Sequence, residues 1–202
     1  MSIDMTKWEQ IARENVHNRP AGQGRLAGKI TIVTGAAQGF GKGIAEELYK
    51  EGATVVIADM NLALAQQVAS EMGERAYAIG VNVSDEQSVA DMVAETVEKF
   101  GGLDIMLANA GVVRSGPIAT FEKKDMDFVT AVNYTGLFLT CKYAAIIMEA
   151  QHEAAPEPEP QPRRLPPPLR PAESPHRPQN HSLRPVFHHK YHCLSENIGK
   201  YT

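Results

Sequence analysis

The chain has 202 residues, 43% of them hydrophobic, with a formal net charge of −4. That length suffices for one domain with a sizeable core, and the slightly acidic balance argues against a nucleic-acid or membrane partner. The N-terminus carries Asp4, Lys7, Glu9, Arg13 and Glu14 without an apolar h-region, and no apolar run reads as a bilayer span.

Residues 1–28 read as an N-terminal extension. Trp8, Ile11 and Ala12 suit a short amphipathic helix, which NRPAGQG then breaks. Lys29–Thr34 (KITIVT) is a predicted strand. Gly41–Lys50 is a predicted helix with Ile44, Ala45, Leu48 and Tyr49 on one face, and Gly52 suits the position just past its end. Thr54–Ala58 (TVVIA) is an unbroken apolar run, as expected of a parallel strand covered on both faces. A helix over Leu62–Met72 and a strand over Ala76–Val81 follow. Ser84 with Gln87 suggests a capping box for a helix reaching Phe100. Leu103–Ala108 is a fourth strand, and Lys124–Glu149 a long helix carrying Cys141 in an apolar pattern. Strands alternating with helices predict an α/β fold, a Rossmann-type doubly wound parallel sheet over residues 29–152.

Between the first strand and its helix stand Gly35, Gly39 and Gly41, with Gln38 and Phe40 between them. Glycines there permit a tight turn, close approach of backbone to a pyrophosphate, and close packing of helix on strand. The helix N-terminus then offers N–H groups and its positive dipole end to the phosphates. Asp59 ends the second strand, where a carboxylate accepts bonds from an adenosine ribose and repels a 2′-phosphate. Neither Met60 nor Asn61 is cationic, so NAD is expected rather than NADP.

The spacing T-G-x-x-x-G-x-G at Thr34–Gly41, the ANAG of Ala108–Gly111 and the VNYTG of Val132–Gly136 together resemble the short-chain dehydrogenases/reductases. The resemblance covers residues 28–150. It implies that Gly35, Gln38, Gly39, Phe40 and Gly41 line the pyrophosphate and nearby ribose, and that Asp59 holds the adenosine ribose. It further implies that Asn82 and Val83 lie beside the adenine, where the family usually has Asp-Val. The carboxamide oxygen of Asn82 would accept from an exocyclic amine. Asn109, Ala110 and Gly111 would pass under the cofactor. Asn133 would match the asparagine that holds a water in the proton relay. More narrowly, the run from Ala108 to Met148 is similar to the sorbitol-6-phosphate 2-dehydrogenase group. The activity implied is hydride transfer between nicotinamide and a secondary alcohol or ketone of a small-molecule substrate, in a homo-oligomer. No metal site is expected.

Such chemistry needs a base for the hydroxyl proton, supplied in the family by a tyrosine with a lysine four residues on. None of Tyr49, Tyr77, Tyr134, Tyr143, Tyr191 and Tyr201 has that lysine, and no strand bearing the family's orienting serine follows Gln151. Eleven of the thirteen prolines lie between Pro156 and Pro185, and residues 153–202 read as a disordered Pro/Arg/His-rich tail. The abrupt change suggests a frameshifted or truncated dehydrogenase, a sheet cut short after about four strands with its fourth strand left as an edge, and marginal stability. A catalytically incompetent NAD-binding fragment is the alternative function. In the tail, RRLPPPLRP resembles a polyproline ligand of SH3-type grooves, and His188, His189, His192 and Cys193 are potential zinc ligands whose spacing fits no familiar finger. With only two cysteines so placed, a reducing, cytoplasmic setting is expected.

Overall fold

The computed structural model describes residues 3–18 and 23–155. The expectations for the tail from Pro156 onward lie outside these residues.

Helix α1 (Thr6–Glu14) is followed by strand β1 (Ile30–Thr34), helix α2 (Gly39–Lys50), strand β2 (Thr54–Asp59), helix α3 (Leu62–Met72) and strand β3 (Ala76–Gly80). Helix α4 (Glu86–Phe100), strand β4 (Ile105–Leu107), helix α5 (Lys123–Thr130), a π turn (Ala131–Thr135) and helix α6 (Gly136–Ala154) complete the order. The four strands form one parallel sheet in the order β3-β2-β1-β4. The chain therefore winds outward through β1, β2 and β3, then returns to add β4 on the other side of β1. The crevice between β1 and β4 is the topological switch point, where such sheets place their ligands.

Every residue of β1, and all of β2 but Asp59, is buried. Alternation distributes them between two cores. Ile32, Val56 and Ala58 join Val89, Val93, Tyr143 and Ile147 on the α4/α6 face. Val33, Val55 and Ile57 join Ala45, Ala65 and Val68 on the α2/α3 face. Each buried Val or Ile contributes about 1.5–3 kcal/mol by leaving water, so both faces are firmly covered. The N-terminal extension shares this core: Met5 and Ala12 are buried within the α4/α6 cluster.

β4 is shorter than the predicted Leu103–Ala108, pairs only through Thr31–Val33 of β1, and is half-buried at the sheet edge. Before it, the buried Gln151 takes the place of a neighbouring strand. Its Oε1 accepts from Leu103 N at 2.7 Å and its Nε2 donates to Leu103 O at 3.0 Å.

Three other expectations are corrected. The cap of α4 is Asp85, whose carboxylate accepts from Ser88 N at 2.8 Å, and not Ser84. Ser84 instead donates its hydroxyl to Asn82. The long helix begins at Lys123, runs on to Ala154 and is interrupted by the π turn around Asn133. By length and composition this 32-residue run also meets the measure for a bilayer-crossing helix, contrary to expectation. Within it Leu139, Tyr143 and Ile147 are buried in the core, while Phe128, Tyr134, Leu137 and Phe138 are exposed.

Candidate functional site

At the C-terminal ends of β1, β2 and β4 lies a cleft of about 470 Å³. Its walls bring together all eleven residues singled out for the cofactor: Gly35, Gln38, Gly39, Phe40, Gly41, Asp59, Asn82, Val83, Asn109, Ala110 and Gly111. Met60, Val81, Val112, Phe128 and Val132 complete it. Val132 opens the VNYTG motif, but none of the five was singled out for the cofactor. A signal was present for Val132 itself, for Val112, which follows the ANAG motif, and for Phe128, one helical turn before Val132.

The glycine turn is built by exclusion of side chains. A Cβ on Gly35, at φ +66°, would sit 2.9 Å from the Ala110 Cα. A Cβ on Gly41 would sit 2.1 Å from the Gly35 carbonyl oxygen and 2.6 Å from the Asn109 amide nitrogen. The turn is also stitched to the end of β4. Asn109 Nδ2 donates to Thr34 O at 3.0 Å and to Gly35 O at 3.4 Å, and the Thr34 hydroxyl accepts from Ala110 N at 3.1 Å.

No side chain caps α2 and no acid stands in its first turn. By contrast, Asn61 caps α3 and Asp85 caps α4. The first amides of α2 therefore face the cleft with the positive end of the helix dipole, the arrangement that suits an anion. Asp59 stands one strand over. Its Oδ2 accepts from Ala37 N at 3.1 Å and its Oδ1 from Asn61 N at 3.0 Å. These amides fix the carboxylate while leaving each oxygen further acceptor capacity.

Two of the residues that the resemblance singled out are bonded within the chain. Asn82 Oδ1 accepts from both Ser84 N at 3.1 Å and the Ser84 hydroxyl at 2.7 Å. Both bonds of that oxygen shape its own loop. The Asn133 amide lies in the π turn and pairs reciprocally with Val112, accepting from its N–H and donating to its carbonyl, each at 2.8 Å. It anchors the segment that leaves Gly111. A water relay through it would lack the lysine the family places beyond it, since no Tyr-x-x-x-Lys occurs in the sequence.

Two of the described tyrosines lie near these elements. Tyr143 is fully buried and donates to Glu86 Oε1 at 2.8 Å. Burial, then that bond, raise its pKa above the ordinary phenol value, the wrong direction for a base at neutral pH. Tyr134 is exposed and is followed four residues later by Phe138. Among the described residues no group of three His, Cys, Asp or Glu side chains is placed to hold a metal.

A glycine-turned β-α-β unit at the switch point of a parallel sheet makes this an α/β protein of the doubly wound, Rossmann type. The short chain dehydrogenase family model matches residues 29–155, and the chain belongs to that family. It is 41% identical over 133 residues to a tropinone reductase-like protein of Erythroxylum coca, covering 64% of this chain and 49% of that protein. It is 37% identical over 126 residues to a sorbitol dehydrogenase of Cereibacter sphaeroides, covering 62% and 49%. Among solved structures, a 3-ketoacyl-(acyl-carrier-protein) reductase from Brucella melitensis complexed with NADH superposes with a TM-score of 0.56 at 37% identity, over 58% of this chain and 49% of that one. A short-chain type dehydrogenase/reductase from Mycobacterium marinum gives 0.61 at 32% identity, over 62% and 52%. The chain thus spans about half the length of these relatives.

Proposed function

We propose that the cleft binds NAD, and that the chain carries the cofactor-binding part of an oxidoreductase acting on a secondary alcohol or ketone. The observation that carries this reading is the pairing of the uncapped, glycine-lined mouth of α2 with the Asp59 carboxylate held one strand away. Gly35 and Gly41 let the turn pack tightly on Asn109 and Ala110, and Gly39, where a Cβ would meet no protein atom, leaves open the approach to the mouth of α2 that a close-lying pyrophosphate requires. The first amides of α2 stabilise its charge, and Asp59 accepts the ribose hydroxyls. The same carboxylate repels a 2′-phosphate, which favours NAD over NADP. The NADH bound in the Brucella melitensis relative supports a nicotinamide cofactor. Such a cofactor, when bound, accepts or donates hydride; the chain's own residues bind and orient it.

For the substrate we favour a polyol or sugar-alcohol phosphate such as sorbitol 6-phosphate. The Cereibacter sphaeroides sorbitol dehydrogenase supports this, beside the tropinone reductase-like proteins at slightly higher identity. The reading also expects a homo-oligomer and a cytoplasmic setting.

A second reading, a dinucleotide-binding protein without turnover, is favoured by one observation: Tyr143 is bound to Glu86 in the core, and no tyrosine has a lysine four residues on. Without a proton acceptor the reaction loses about 10²–10⁴-fold or more in rate. Calorimetry with NAD and NADP, set beside a turnover assay with sorbitol 6-phosphate, separates the two. Binding with turnover supports the enzyme, binding alone supports the second reading, and no heat with either nucleotide refutes both.

A further inference from the structure

Helix α6, with the π turn before it, presents Val132, Gly136, Leu139, Tyr143 and Ile147 on one face, and all five are buried. The spacing repeats at four, three, four and four residues, so these positions stack along one stripe. Two of them grip the segment between β3 and α4, which forms the Asn82–Val83 wall of the cleft. Gly136 does so by lacking a side chain: a Cβ there would lie 2.9 Å from Val83 Cγ2 and 3.1 Å from Val83 O. Two turns further along, Tyr143 donates its hydroxyl to Glu86 Oε1 at 2.8 Å, and neighbouring Lys142 donates to the same oxygen at 2.8 Å. Glu86 is the first residue of α4, three positions beyond Val83.

The segment between these grips is laced to itself. Asn82 N donates to Ser88 Oγ, Asn82 Oδ1 accepts twice from Ser84, and Asp85 N donates to Asn82 O. A unit so internally bonded moves as one piece. The position of its Val83 end therefore depends on how its Glu86 end is fixed.

We infer that Tyr143, through Glu86, is a positioning residue for the Asn82–Val83 wall, and that this contact sets dinucleotide affinity without touching the ligand. The assignment of affinity rests on the cleft being the NAD site; the positioning itself does not. Nothing in the family motifs marks these residues: Tyr143 and Glu86 belong to neither the glycine turn nor the ANAG and VNYTG runs. The chemistry fits the task. A fully buried phenol requires an acceptor, and a carboxylate at the head of a helix is favoured there by the dipole. Glu86 supplies that acceptor to Tyr143.

The test uses the full chain with three substitutions: Tyr143→Phe, Glu86→Ala and Glu86→Gln. Tyr143→Phe keeps the ring and its packing. Glu86→Gln keeps an oxygen that accepts from the hydroxyl. Hydrogen exchange of the amides at 82–88 is followed without ligand, and the affinities for NADH and AMP are measured on folded protein. The expected result is faster exchange at 82–88 in Tyr143→Phe and Glu86→Ala. Both should weaken NADH and AMP together, by about three- to ten-fold, part of one charge-assisted hydrogen bond. Glu86→Gln should stay within about two-fold of the parent. Unchanged exchange and affinity in Tyr143→Phe and Glu86→Ala overturn the inference. So does a lowered melting temperature with unchanged exchange and affinity, which would make the contact structural only. If the parent chain itself fails to bind NADH, the NAD reading falls and the affinity claim with it, while exchange still decides the positioning.

Discussion

Asn109 donates its side-chain amide to the Gly35 carbonyl at 3.4 Å, joining the exit of β4 to the glycine turn across 74 residues of sequence. The same amide nitrogen lies where a Cβ on Gly41 would intrude. The cleft floor is thus one unit made of two motifs.

Two glycines of that turn separate close approach from backbone conformation. Gly41→Ala places its methyl against the Asn109 side-chain amide and 2.1 Å from the Gly35 carbonyl oxygen, a backbone atom that cannot swing aside. It should cost about 1–3 kcal/mol in stability and abolish dinucleotide binding. Gly39→Ala meets nothing within 4 Å but carries φ +58°. It should cost about 1–2 kcal/mol through backbone strain alone. Urea unfolding of the two variants beside the parent, with NADH titration, checks this. A Gly41→Ala or Gly39→Ala variant as stable as the parent would contradict it.

Asp59→Asn removes the charge and keeps one acceptor oxygen, so only one of the Ala37 and Asn61 amides retains its partner. Affinity for NAD should fall about ten-fold while that for NADP holds or rises, since one repelling charge is gone. Parallel calorimetry with the two nucleotides is the measurement. An equal fall for both would show that the carboxylate does not discriminate between them.

Gln151→Leu leaves the buried N–H and C=O of Leu103 without their partner. The expected loss is about 2–4 kcal/mol. A midpoint in urea unchanged from the parent would show that β4 is held by its pairing with β1 alone.

Much of the fold and the cleft was legible because the chemistry is local. Glycines cannot be replaced where no Cβ fits, so Gly35 and Gly41 marked the turn, and Asp59 stood out by ending a strand. Features that escaped the sequence are locally degenerate. Ser84 and Asp85 are adjacent acceptors and both qualify as a cap, and only the path of the chain selects Asp85. The π turn leaves composition untouched, so nothing in AVNYT distinguishes it from α-helix. The pairing of Gln151 with Leu103 spans 48 residues and obeys no pattern a window could detect. Asn82 resembles a ligand group in sequence, because its use by Ser84, two residues on, depends on a turn that exists only in the folded chain.

Stability should depend on pH on both flanks through Glu86, Lys142 and Tyr143. The bond from Lys142, then that from Tyr143, holds the Glu86 carboxyl below its ordinary value. Its contribution is therefore complete above about pH 4.3 and fades as pH falls through the lowered folded value. Lys142 is raised by its bond to Glu86, and Tyr143 by burial and then by its bond to Glu86. Their contribution is complete below about pH 10 and fades as pH climbs through the raised folded values. Melting temperatures of the parent and Tyr143→Phe from pH 3 to 11 test this. The variant should lose stability less steeply above pH 10, and identical alkaline slopes would refute the assignment.

The most direct measurement is isothermal calorimetry of NADH against the folded parent chain and Asp59→Ala. Saturable one-to-one binding by the parent, and affinity at least ten-fold weaker in the variant, is the expected outcome. Folded parent protein that takes up no NADH, or a variant that binds it equally well, would contradict the proposal that α2 and Asp59 together hold a dinucleotide.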